Sequence, residues 1–529
     1  MTEPEVRSEA LGGSALARLA IEGRAPGTWY PPVPSGSDAW RTRAAAVRSD
    51  FAGGAWLDAL RPAFAATGRA AERLERAAAS GVLVTTGQQP GLFGGPIYTW
   101  SKALSALALA DVLEASTGVP AAPVFWAATD DADFAEASVT RVVRPGGIER
   151  LQLAGSAPEG TPMSDVPLGD DVEQLLRALE RASGSAANAG AIEAARRAYR
   201  PGATVGSAYL ALLRELLQPC GIAVLDASHP ATRGAAFPLL SAALARAEEV
   251  SAALAARSRE IAVRGLAPQV PLVDGLSLVF GPVRAGAPAK RRVAERDARA
   301  VAGSASPGTL SPNVLLRPVV ERSILPTVAY VAGPGELAYF AQVSAVAQTL
   351  GRPAPLALPR WSGTIVEPHV TRILERLSIA EDELRHPHQV ETRLARAAAP
   401  PALRSALADA RDAIERLTTR LREEPDTATL VPPAALEGTR RALEWRVDRL
   451  ERRYLAAVKR REEQLMQDLG TARASLFPDG VRQERALNLL PYLARYGDAL
   501  LERMRTLAAE HARQVAGLGR PAPSVAASA

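Results

Sequence analysis

The chain has 529 residues, and 62 Lys+Arg against 57 Asp+Glu leave a formal charge of +5. That length predicts two to four domains at roughly 100–200 residues each, and so mild a charge excludes a nucleic-acid binder working by bulk phosphate neutralisation. A hydrophobic share of 47% excludes wholesale disorder, and a lone cysteine, Cys220, excludes an intramolecular disulfide framework or a thiolate metal cage.

The opening MTEPEVRSEALGG lacks the basic start and apolar run of a secretory signal. Residues 1–80 are rich in Ala and Arg, with helical stretches at 40–47, 55–60 and 69–79 after a Pro-rich link at 29–34. They are expected to pack as an N-terminal helical segment on the core. A short β-branched run at 81–85, a polar loop at 86–96, a helix at 98–114 and an apolar run at 123–128 then spell strand, glycine loop, helix, strand. That is the pattern of a parallel βαβ unit. Further strand-like runs lie at 222–225, 278–283, 314–320, 327–332 and 356–358. The core is thus predicted over 81–371, with insertions near 145–205 and 255–310. The long weakly charged stretch 323–350 is broken by Pro326, Gly333, Pro334, Gly335 and Glu336, so a strand, a turn and a helix are expected rather than a membrane span. A cytoplasmic protein is the default.

From 372 to 476 the composition turns to Arg, Glu, Leu and Ala. Leu443, Val447, Leu450, Tyr454 and Ala457 step by four and three, the spacing of a coiled-coil seam, with Ile414, Leu417 and Leu421 on an upstream arm. Helix breakers at 424–426 and 431–433 separate the arms, which predicts an antiparallel helical hairpin projecting from an α/β core. Residues 477–515 are expected to return to the core, and 516–529 to be a disordered tail.

Three segments could carry chemistry. The run 85–96 holds Gly87, Gln88, Gln89, Gly91, Gly95 and Pro96, then Tyr98 and a Lys102 that looks exposed. Set between a strand and a helix start, it suits an anion, although it is neither a Walker loop nor a GxGxxG fingerprint. An ordinary βα turn is the plain alternative. Asp130, Asp131 and Asp133 follow the second strand, where they could hold an amine, act as a base, ligate Mg2+, or simply cap a helix. Asn313 and Arg317 fall on one face of a predicted strand, where Arg317 could clamp a carboxylate or pair internally with Glu321. Gly333, Gly335, Glu336 and Tyr339 form a second strand–turn–helix niche. No residue is assigned to a metal.

Five segments together carry a resemblance: TTGQQPGLFGGPIYTWSKALSA (85–106), PVFWAATDDADFAEAS (123–138), LSPNVLLRPVVERSILPTVAYVAGPGELAYFAQ (310–342), PRWSGTIVE (359–367) and LFPDGVRQERALNLLPYLARYGD (476–498). In this order the chain resembles the cysteine-adding enzymes of bacillithiol biosynthesis. The resemblance implies an α/β, Rossmann-type core like that of class I nucleotidyltransferases, two connecting insertions, and a coiled-coil arm used for dimerisation. It implies a ligase joining the carboxyl of cysteine to the amine of glucosaminyl-malate, with ATP the expected source of activation. Residue by residue it places the family's glycine–glutamine loop on Gly87, Gln88, Gln89, Gly91, Gly95 and Pro96, its Asn–Arg strand on Asn313 and Arg317, and its Gly-Pro-Gly-Glu turn on Gly333, Pro334, Gly335 and Glu336. These, with Tyr339, are expected to bind substrate. Its acidic motif falls on Asp130, Asp131 and Asp133, expected to be catalytic. Relatives commonly carry a histidine where this chain has Ala132. That departure favours the alternative of a non-catalytic dimeric scaffold around a degenerate nucleotide-binding core.

Overall fold

The computed structural model describes residues 3–51, 55–184, 187–281, 290–424, 426 and 430–519. Its strands in chain order are β1 (Glu5–Ser8), β2 (Val82–Gln88), β3 (Ala121–Ala127), β4 (Val139–Arg144), β5 (Gly147–Gln152), β6 (Ala223–Asp226), β7 (Leu276–Gly281), β8 (Arg291–Ala294), β9 (Ser311–Pro312), β10 (Thr327–Ala332), β11 (Ala357–Pro359) and β12 (Gly363–Val366). The chain divides into two compact units, one of residues 1–142, 150–365 and 484–529, the other of 143–149 and 366–483.

The first unit is built on a five-stranded parallel sheet in the order β11-β10-β2-β3-β6. The chain grows outward from β2 to β3 and β6, then resumes on the other side of β2 with β10 and β11. The order therefore reverses between β2 and β10, and ligands bind at the carboxyl ends of strands beside such a switch. Strands this thoroughly buried need no polar alternation: Val82, Val84, Phe125, Val224 and Val331 are all at most 2% exposed. On one face Leu83, Val124, Trp126 and Leu225 share a core with helices Ala55–Phe64, Pro230–Ala245 and Pro334–Thr349. Helix Ile97–Thr117 connects β2 to β3, packs on both, and runs alongside the C-terminal helix Leu490–Val515.

Two runs expected as parallel strands are something else. The one beginning at 278 is β7, the centre of a small antiparallel sheet ordered β8-β7-β9, and residues 282–283 lie outside the described part. The run 314–320 is mostly helix, Arg317–Ile324. Its buried residues come in pairs, Leu315 with Leu316 and Val319 with Val320, a spacing of four that also serves a helix. Asn313 decides it: its side-chain oxygen accepts from the N–H groups of Leu315 and Leu316 at 3.1 and 3.0 Å. Pro318, in the first turn, has no N–H to waste. Asn313 and Arg317 therefore do not share a strand face.

In the second unit, helices Pro401–Glu423 and Pro433–Arg461 pack along each other. The buried line on the second arm is Glu451, Leu455 and Val458, one residue on from the expected seam. Leu450 and Tyr454 are 47% and 45% exposed, and Leu417 and Leu421 are exposed too. Glu451 is held by Arg396 at 2.9 Å and Arg411 at 2.5 Å. Of the expected breakers, Pro425 lies outside the described residues. So do 520–529 of the expected tail, whereas Ala516 is buried and its carbonyl accepts from the Trp40 indole. No described helix is long and apolar enough to cross a membrane.

Candidate functional site at the switch point

β2 runs on through Thr86, Gly87 and Gln88, so these are strand residues rather than loop. Gly87 is obligatory there, because a Cβ would stand 2.8 Å from the Trp126 carbonyl oxygen on β3. The following turn closes on itself: a Cβ on Gly91 would meet the Gly95 Cα at 2.7 Å, and Gly95 sits at φ +74°. Asn488 clamps this turn from 390-odd residues away in sequence, its amide donating to the carbonyls of Phe93 at 2.9 Å and Gly95 at 3.3 Å.

A cleft of about 690 Å3 opens at the carboxyl ends of β2, β3 and β10. Most of the expected site residues meet in it: Gly87, Gln88 and Gln89; Asp130 and Asp131; Asn313 and Arg317; Gly333, Gly335, Glu336 and Tyr339. Asp133 and Gly95 do not line it. Asp133 is the cap of the short helix Phe134–Ala137, accepting from the Glu136 N–H at 2.9 Å. Six basic side chains against three acidic ones line the cleft, which favours an anionic ligand.

Behind the lining lies a buried charge network. Lys102 is 2% exposed, not exposed as its sequence suggested. Its ammonium donates to the Gly87 carbonyl at 2.5 Å and Gln88 Oε1 at 3.2 Å, and pairs with Glu336 at 2.7 Å. All three of its N–H groups thus have acceptors. Burial pulls its pKa down, opposed by Glu336. Glu336 also accepts from the Gly333 N–H at 2.7 Å and the Tyr330 hydroxyl at 2.6 Å. Burial pushes that carboxyl up, but Lys102 and Arg317 together hold it below the usual range.

Arg317 is engaged on several sides. It donates to Glu321 at 3.0 Å, the Tyr330 hydroxyl at 3.1 Å and the Tyr339 hydroxyl at 3.4 Å, and stands 3.8 Å from Glu336. The Glu321 pairing arises through an i, i+4 helix step. Burial raises the Glu321 carboxyl to about 7 even beside that guanidinium.

On the acidic side, Lys290 donates to the Asp130 carbonyl and stands 3.5 Å from its carboxylate. Asp131 accepts from the Asp133 N–H at 2.9 Å, and burial raises its pKa. Ala132, next to Asp131, also lines the cleft. Among the described residues no group of three or more His, Cys, Asp or Glu could hold a metal ion.

Sequence reasoning missed Arg360, Glu484 and Asn488. Arg360 lines the cleft and makes a two-pronged pair with Glu484 at 2.7 and 2.8 Å, both side chains buried. The available signal was a charged residue beside buried aromatic or apolar neighbours, as in Arg360-Trp361 and Glu484 near Leu487.

Residues 52–275 and 296–361 match the family described as "Bacillithiol biosynthesis BshC, N-terminal Rossmann-like domain", and 363–515 match its "C-terminal coiled-coil domain". A protein of Koribacter versatilis is 32% identical over 466 residues, covering 84% of this chain and 85% of that protein. One of Solibacter usitatus is 33% identical over 429 residues, covering 79% and 80%, and one of Salinibacter ruber is 28% identical over 447, covering 80% of each. All three carry the name "Putative cysteine ligase BshC". With both family domains in order along one α/β-plus-helical chain, this protein belongs to the BshC family of bacillithiol biosynthesis.

Proposed function

We propose that the chain is a ligase that forms an amide between the carboxyl of L-cysteine and the amine of glucosaminyl-malate. The observation that carries this reading is the cleft at the switch point, where amide, carboxylate and basic side chains converge in a chain of this family. Amide formation in water needs an activated carboxyl, and ATP supplies that activation. The basic excess of the cleft and the open space at Gly335, where a Cβ would meet nothing within 4 Å, fit its phosphates.

Asp130 and Asp131 receive the sugar amine. As nitrogen bonds to the acyl carbon and the leaving group departs, the amine sheds a proton. Asp131 takes it, its burial-raised pKa making it a better base than an ordinary aspartate. Asp133 has no part in this, being a helix cap. Gln88 and Gln89 orient the sugar, and Arg317 fixes Tyr339 and Glu336 at the cleft wall. The two copies of the chain associate through the exposed apolar stripe of the helical arm.

Reconstitution with cysteine, glucosaminyl-malate and ATP tests the reading, following thiol product and nucleotide product together. Equal amounts of both are expected. Nucleotide retention without any thiol product would instead favour the scaffold alternative, for which Ala132 is the sequence argument.

A further inference from the structure

Next to the cleft, and sharing Gln88, Gln89, Tyr98 and Arg485 with it, lies a second pocket of about 290 Å3. The first turn of helix Ile97–Thr117 lines it, presenting the positive end of a 21-residue helix dipole. Thr99, in that turn, is 1% exposed, and its hydroxyl finds no hydrogen-bond partner among the described residues. Buried hydroxyls are usually paired, so one without a partner just beneath a pocket wall is a point where a ligand atom would be welcome. Gly95 packs directly over that hydroxyl, and a Cβ there would stand 3.2 Å from Thr99 Oγ1. Arg141, Arg150 and Arg485 reach the same pocket from separate segments, against one carboxylate, Glu136. Arg150 and Arg485 are exposed side chains, whereas Arg317 is already surrounded by Glu321, Tyr330, Tyr339 and Glu336.

We propose that this side pocket, through Arg150, Arg485 and Thr99, binds the dicarboxylate end of the sugar substrate while its amine lies in the neighbouring cleft. The assignment rests on the ligase reading above, and it gives the carboxylate clamp that the sequence suggested for Arg317 to Arg150 and Arg485 instead. A compact dianion is the chemistry the pocket fits. Nucleotide phosphates share that chemistry, so the test must separate the two sources.

Calorimetric titration does so with three probes: glucosaminyl-malate, methyl glucosaminide (the same aminosugar without the dicarboxylate) and ATP. Wild type is expected to prefer glucosaminyl-malate over the methyl glycoside. Arg150→Ala and Arg485→Ala should each weaken glucosaminyl-malate by about tenfold or more, the worth of a charged hydrogen bond, and leave the methyl glycoside unchanged. Arg150, which lies outside the cleft, should also leave ATP unchanged when replaced. Thr99→Val, which keeps the shape and removes the hydroxyl, should act in the same direction. Because both arginines are exposed, their replacement should not lower the melting temperature. A loss confined to ATP would give the pocket to a nucleotide phosphate and overturn the proposal. Variants that bind glucosaminyl-malate as wild type does would overturn it while leaving the ligase reading intact. A wild type that fails to bind glucosaminyl-malate at all would overturn both.

Discussion

Single side chains in this site serve two tasks, and substitutions can tell the tasks apart. Gln89 lines the cleft and has no structural hydrogen bond among the described residues, whereas Gln88 helps solvate the buried Lys102 and donates to Tyr98 at 3.2 Å. Gln89→Ala is therefore expected to cut product formation with the melting temperature unmoved. Gln88→Ala should cut it and also destabilise by about 1–3 kcal/mol, through an ammonium left short of an acceptor. Thermal melts beside turnover separate the pair. Glu321 offers a pH test. Its folded pKa near 7 lies above the ordinary 4.5, so between those values the unfolded chain gives up a proton that the fold retains. Stability from this group thus falls as pH rises from about 4.5 to 7, by up to about 1.4 kcal/mol per unit, and is flat beyond. Glu321→Gln should remove that part of the slope in urea unfolding at pH 5, 6 and 7. Parallel curves for wild type and variant would show that Glu321 ionises normally in the fold.

Elements were legible from sequence where one local signal dominates. β10 occupies 327–332 as expected, because a β-branched run there is closed by Gly333-Pro334 and nothing nearby competes. The segment 314–320 was ambiguous, since paired apolar residues suit a buried strand or a helix, and the Asn side chain immediately before it settled it. The helical arm carries two apolar lines, and spacing alone does not say which faces its own hairpin. Leu455 and Val458 face inward, packing with Ala395 and Ala399, which leaves Leu450 and Tyr454 outward. That arrangement sharpens the dimer test. Leu450→Glu with Tyr454→Glu should yield monomers by light scattering without loss of helical circular dichroism, because neither side chain supports the hairpin core. A dimer that survives both changes would place the subunit contact elsewhere. Lys102 was misjudged for a related reason: its acceptors come from residues 87, 88 and 336, a convergence that no window around 102 contains.

At the scale of the whole molecule, the last part of the sequence completes the first part's site. Arg360 and Glu484 are 2% and 3% exposed, and Ser362 adds a third hydrogen bond to that carboxylate at 2.8 Å. Glu484→Ala would leave a buried guanidinium unpaired and is expected to cost about 3–5 kcal/mol, read as a lowered midpoint in denaturant unfolding. Glu484→Gln, which keeps the shape and some hydrogen bonds, should cost less. Equal stability of all three proteins would mean that water reaches Arg360 in solution.

The same pairing sets a timetable for synthesis. Arg360 and Glu484 are 124 residues apart, and the Asn488 clamp follows shortly after. At roughly 5–20 residues per second, a ribosome needs about 6–25 s to travel from one partner to the other. For that interval the nascent sheet holds an uncompensated arginine at its edge and an unfastened glycine turn. The parallel core can collapse early, but the cleft at its switch point is closed only once residues 484–488 have been made.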